Sequence, residues 1–159
     1  MSQTIAFFDL DNTILIGTSG MMYLRYLLRT PEASFSKKLD ATLQAARYRF
    51  AMLDYVAVSV KLVDSISNSS EQVARELYQH FFDEVLASKI SPAARKRIAQ
   101  HQAQGHRVVI LSAATQYVVE PVARAVGIED VLCTRLEVKD GLFTGQVIEP
   151  ACYGPGKVY

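Results

Sequence analysis

Cysteine is scarce in this 159-residue chain, which carries only Cys133 and Cys152. Two cysteines make no disulfide framework and their spacing fits no metal motif, so free thiols in a reducing compartment are expected. An excess of charge of one sign is also lacking. Lys and Arg number 17 against 16 Asp and Glu, without the basic stripe usual in a nucleic-acid binder. The densest basic run, Arg95-Lys96-Arg97, is expected to be a solvated helix face. No apolar stretch approaches the roughly 18 residues that a membrane-spanning helix needs. The nearest, Val56 to Val63, is interrupted by Lys61. The N-terminus carries Asp9 and Asp11 where a secretory signal has a basic start and a longer apolar run. Gly154-Pro155-Gly156-Lys157 lacks the spacing of a nucleotide phosphate loop. These absences lead us to expect a cytoplasmic protein that binds neither nucleic acid nor membrane.

What is present suggests one α/β domain with a small insertion. Half of the residues are hydrophobic, which argues against disorder. Ile5-Ala6-Phe7-Phe8 is too short for a helix and reads as a strand buried on both faces. Residues 18–89 then look helical throughout. Met22, Tyr26 and Arg29 follow helical spacing up to Pro31, and Leu39, Leu43, Ala46, Phe50 and Leu53 form an amphipathic stripe. Ser69 with Gln72 resembles a capping box before a further helix through Val73, Leu77, Phe81 and Val85. Ser91-Pro92 starts the next helix and Gly105 stops it. Val108 to Leu111 reads as a second buried strand ending at Ser112. A helix from Tyr117 to Val126 is closed by Gly127. Val131 to Thr134 is a third strand, and Leu136 to Ile148 a hairpin around Asp140-Gly141. Strands alternating with helices imply a parallel sheet.

The chemistry gathers at strand ends. Asp9 and Asp11 follow the first strand, where open α/β sheets place ligands. Carboxylates this close repel, and a hard divalent cation relieves the repulsion. Taken alone, the pair reads equally well as an exposed turn. Ser112 follows the second strand, where a hydroxyl and backbone N–H groups can hold phosphate; alone it reads as a helix cap. Lys157 follows the third strand, and alone it is a surface lysine. Tyr23, Tyr48 and Tyr55 could face a substrate, although nothing selects them. His80, His101 and His106 show no ligand spacing.

Together these motifs resemble the haloacid dehalogenase superfamily, in particular its phosphoserine-phosphatase-like branch, subfamily IB. Phe7-Phe8-Asp9-Leu10-Asp11-Asn12-Thr13 matches the first family motif, Val109 to Thr115 the second, and Gly154 to Val158 the third. The resemblance implies a Rossmann-like parallel sheet formed by residues 1–16 and 90–159, with an all-helical cap at 17–89. It implies a Mg2+-dependent phosphatase acting on a small phosphorylated metabolite. Asp9 would be the nucleophile and Asp11 the general acid and base. Ser112 and Ala113 would meet the phosphoryl group, Lys157 would offset its charge, and Asp9 with the Asp11 carbonyl would hold the metal.

Two departures accompany the resemblance. The chain ends two residues after Lys157, before the family's fourth, acidic motif and the strand beside the first. A C-terminally truncated product is therefore expected, with an open sheet edge along which copies could associate. The stretch Ile16-Gly17-Thr18-Ser19-Gly20 carries no acid where phosphoserine phosphatases have a glutamate. An inactive phosphate-binding or partner-binding domain is the alternative function. A receiver-type signalling domain fits poorly with the long helical insertion.

Overall fold

The computed structural model describes residues 4–29, residues 67–150 and Cys152. Its strands are β1 (Ile5–Phe8), β2 (Arg107–Thr115), β3 (Asp130–Lys139) and β4 (Leu142–Ile148). Among the described residues they form one sheet in the order β1-β2-β3-β4. The first three are parallel and β4 returns antiparallel to β3. The helices are α1 (Ser19–Arg29), α2 (Glu71–Phe81), α3 (Pro92–Ala103) and α4 (Gln116–Val126). A π-helical turn, Phe82–Leu86, and a 3-10 turn, Ala87–Lys89, lead from α2 toward α3. The architecture is the expected α/β, Rossmann-like fold. Among the described residues no helix is long and apolar enough to cross a membrane.

Local chemistry explains most boundaries. Ser91 caps α3 by accepting the Ala94 N–H at 3.3 Å, with Pro92 in the first helical turn. Gly127 ends α4 in the left-handed conformation, φ 70°. Asp140 and Gly141 both have positive φ, 52° and 78°, as a tight two-residue hairpin turn demands. The cap of α2 is Ser70, whose hydroxyl accepts from Val73 N–H at 3.5 Å, and not Ser69. Ser69 is committed elsewhere, its carbonyl accepting the Phe143 N–H at 3.0 Å. The predicted third strand and the first hairpin arm are one continuous strand, because β3 pairs β2 along its first half and β4 along its second. The stripe from Leu39 to Leu53 lies outside the described residues.

Both α3 and α4 pack on one face of the sheet. There Phe8, Val108, Ile110 and Cys133 meet Ile98 of α3 and Val118, Val119 and Val122 of α4. The three basic residues Arg95, Lys96 and Arg97 are exposed on α3, as expected. The expectation that β1 is buried on both faces is not met. Phe8 is buried, but Ile5 is 44% exposed and Phe7 57%. These two side chains point to the face opposite the helices, where Leu132 is also exposed. With both crossover helices on one side, the alternation of β1 turns Ile5 and Phe7 away from them.

Ile110 lies fully buried at the centre of this packing. Ile110→Ala should lower stability by about 2–5 kcal/mol through lost burial and a cavity, as read from urea unfolding. Burial also pushes the Cys133 thiol up from its ordinary 9.0 to about 11. The folded chain holds that proton more tightly than the unfolded chain. The resulting stabilisation is complete below pH 9.0 and is lost as pH rises toward about 11. Unfolding midpoints across that window should fall, and Cys133 should resist thiol reagents at pH 8 until the protein unfolds.

Candidate active site

The parallel register sets Phe8 opposite Ile110. Asp9 follows directly, so it leaves β1 at the C-terminal edge of the sheet, beside the stretch of β2 that holds Ser112. The next residues are wound tightly. Ile14 N–H donates to the Asp9 carbonyl at 3.3 Å, and Leu15 N–H to the Leu10 carbonyl at 2.9 Å. Asn12 takes the left-handed conformation at φ 57°, which Asn tolerates better than most residues. Leu10, Ile14 and Leu15 are buried in the core, whereas Asp9, Asn12 and Thr13 are exposed. The apolar residues anchor the loop and turn the acids outward.

Asp11 is half-buried, and its Oδ1 accepts the backbone N–H of Ser19 at 2.8 Å. Ser19 is the first residue of α1, so the carboxylate sits at a helix N-terminus. An unpaired donor and the positive end of the helix dipole favour negative charge there. This bond orients Asp11 and ties it to the first helix of the insertion. The connecting loop closes through Asn12 N–H to the Gly17 carbonyl at 3.0 Å. Gly17 has φ 108°, and a Cβ there would come within 2.8 Å of Met22 Cε. The angle favours glycine, and any side chain there would also have to displace the Met22 methyl.

Ser112 is buried, but it is not at the end of its strand. β2 continues to Thr115 through an irregularity between Ser112 and Thr115. Ser112 Oγ accepts the Ala114 N–H at 3.1 Å, leaving its own O–H to donate. The neighbouring Ala113 is half-buried, and its carbonyl accepts the Thr134 hydroxyl at 2.8 Å. Asp9, Asp11, Ser112 and Ala113 thus share one edge of the sheet. Lys157 lies outside the described residues, as do Tyr48 and Tyr55.

The return of the insertion is fixed to the hairpin. Asn68 N–H donates to the Phe143 carbonyl at 2.8 Å and Glu71 N–H to the Gly141 carbonyl at 2.9 Å. An aromatic column joins α1, α2 and α4. Tyr23 stacks on Tyr78 at 4.8 Å between ring centroids, and Tyr78 on Tyr117 at 5.9 Å. Tyr117 donates to Glu71 Oε1 at 3.0 Å, beneath the Arg75 guanidinium 5.1 Å from its ring centroid. Burial pushes the Tyr23 and Tyr117 hydroxyls above their ordinary range. Tyr23 also packs edge-on against Phe81, with ring centroids 5.2 Å apart. Sequence reasoning missed Tyr78 and Tyr117, and also buried Gln116, which accepts from Leu136 N–H and donates to its carbonyl. An open groove of about 580 Å³ runs along α4 between Glu120 and Arg135. Its central charge, Glu120, pairs with Arg75 and Arg135, and no candidate catalytic residue lines it.

The donors that Asp9 and Asp11 offer a metal are all oxygens. Among the described residues neither turn uses the Asp11 carbonyl, and no group of three or more His, Cys, Asp or Glu gathers anywhere. One or two carboxylates with water and substrate phosphate are the usual surroundings of magnesium, so the residues present fit that ion.

A sheet of this order with both crossover helices on one face defines a Rossmann-like domain, and two acids stand at its C-terminal edge. The family model for haloacid dehalogenase-like hydrolases matches residues 6–159, and the chain belongs to that family. It is 26% identical over 158 residues to a histidinol-phosphatase of Neisseria meningitidis, covering 98% of this chain and 71% of that protein. It is 27% identical over 158 residues to a phosphoserine phosphatase of Mycobacterium tuberculosis, covering 97% of this chain and 51% of that one. The chain thus spans about half of the second relative. A crystal structure of a Bordetella pertussis protein of unknown function superposes with a TM-score of 0.88 at 24% identity, covering 99% of this chain and 72% of that one.

Gly17→Ala should lower stability by about 1–3 kcal/mol through strain at that angle. It should also speed hydrogen exchange at the Ser19 amide, because the loop that presents α1 to Asp11 must shift.

Proposed function

We propose that the chain is a phosphomonoester hydrolase acting through Asp9 on a small phosphorylated metabolite. The observation that carries this reading is the pair of acids directly after β1, with Asp11 oriented by the Ser19 N–H. In this reading Asp9 attacks and Asp11 moves protons.

In the first step an Asp9 oxygen forms a bond to phosphorus as the bond to the ester oxygen breaks. Asp11, protonated, gives its proton to the leaving alcohol. In the second step the Asp11 carboxylate takes a proton from water, and the resulting hydroxide displaces Asp9 from phosphorus and releases phosphate. The Ser112 hydroxyl donates to the transferring group, beside Ala113. Lys157, which follows β4 in the chain, would supply positive charge. Mg2+, held by Asp9 and the Asp11 carbonyl, would offset charge on the phosphoryl oxygens. Positioning and charge neutralisation account for most catalysis of this kind.

Residues 17–89 serve in this reading as a cap over the site. Its two ends are tied at the acid loop, by Asp11 accepting the Ser19 N–H and by the Lys89 carbonyl accepting the Ile16 N–H at 2.8 Å. Two relatives named for phosphatases of small phosphorylated molecules support the substrate class. The absence of an acid between Ile16 and Gly20 speaks against phosphoserine itself, whose ammonium group would have no partner there. A non-catalytic binding domain is the second reading, favoured by the exposed Ile5 and Phe7 on β1.

Hydrolysis of an aryl phosphate should require magnesium and fall to background in Asp9→Asn. Asp11→Asn should cost about 100- to 10,000-fold, the usual worth of a positioned acid and base. Folded protein that binds phosphate in a magnesium titration but never turns over would instead establish the second reading.

A further inference from the structure

His101 and His106 lie at the opposite end of the sheet from Asp9. His101 is in the last turn of α3, and His106 immediately precedes β2. The chain between them closes on itself, with His106 N–H donating to the His101 carbonyl at 3.0 Å. The two imidazoles meet at Nδ1–Nδ1 3.0 Å, with centroids 5.2 Å apart and planes tilted by 42°. Phe8 meets the His101 ring edge-on at 5.8 Å and helps to set its orientation. Both rings are half-buried.

A neutral imidazole presents one nitrogen as a donor and one as an acceptor. Contact between the two Nδ1 atoms therefore requires a hydrogen on one and a lone pair on the other. In the tautomer that carries the donor ring's hydrogen on Nε2, both Nδ1 atoms present lone pairs, and rotation of the rings off the N–N line would aim these at a common point. Bonds of about 2.0–2.1 Å from nitrogens 3.0 Å apart subtend about 94° at the metal. That is near the right angle of tetragonal coordination, which copper(II) and nickel(II) favour. Imidazole suits these ions, whereas magnesium prefers oxygen. The surrounding charge permits a cation. The negative end of the α3 dipole lies here, and the adjacent Arg107 is already paired through two 2.7 Å bonds to Asp130.

We propose that His101 and His106 form a two-histidine chelate for a divalent late first-row ion, copper(II) or nickel(II), separate from the Asp9 and Asp11 site. No third His, Cys, Asp or Glu joins them among the described residues, so water completes the coordination. Such a chelate staples the end of α3 to the start of β2. Binding to the folded chain alone raises its stability with the logarithm of free metal over the dissociation constant.

Nickel(II) titration of the tag-free chain by calorimetry tests this. One equivalent should bind, and His101→Gln or His106→Gln should each weaken it at least about tenfold. His80→Gln, at an exposed position on α2, should leave it unchanged. Thermal unfolding without metal establishes that the variants fold. Should either fail to fold, copper(II) added to the wild-type protein should broaden the ring resonances of His101 and His106 before those of His80. Absence of binding, equal affinity in both folded variants, or earlier broadening of His80 would overturn the proposal.

Discussion

The parallel pairing of β1 with β2 is the constraint on which the rest depends. These strands lie about 100 residues apart in sequence, yet the register sets Phe8 beside Ile110. That single alignment brings the acids after β1 to the same edge as Ser112. It also fixes the geometry of α3, which must return from the far end of the sheet to start β2. Both crossover helices fall on one face, and Ile98 with Val118, Val119 and Val122 fills the space beneath Phe8 and Ile110.

The acid loop shows how packing controls chemistry. Carboxylates two positions apart repel, and an unconstrained chain would separate them. Burial of Leu10, Ile14 and Leu15 leaves little freedom for the backbone between them. The N-terminus of α1 then takes up one of the two charges through the Ser19 N–H. The helix that opens the insertion is thus also the helix that positions Asp11.

At its return, the insertion is held by the same hairpin and helix that flank Ser112. Backbone bonds from Asn68 and Glu71 extend β4, and the stacked Tyr23, Tyr78 and Tyr117 span α1, α2 and α4. These rings have no polar role visible from composition. Their stacking couples the described ends of the insertion to the strand edge where phosphate chemistry is proposed.

The sequence by itself determined the features governed by a few neighbouring residues. Ser91-Pro92 opens α3, Gly127 closes α4, and Asp140-Gly141 turns the hairpin, because caps and positive φ angles act within one turn of chain. Asp9 and Asp11 were legible for the same reason, as a motif directly following a short apolar run. Ser112 was legible as a residue but not in its place within a longer strand, since the extent of β2 depends on its neighbour β3. Which serine caps α2 was decided by β4, which engages Ser69. The exposure of Ile5 and Phe7 was decided by the side of the sheet on which both crossover helices settled. The bond from Ser19 to Asp11 was likewise left to the folded structure, whereas His101 meets His106 through the local turn that ends α3. Side chains that no linear spacing relates become partners only when packing brings their backbones together.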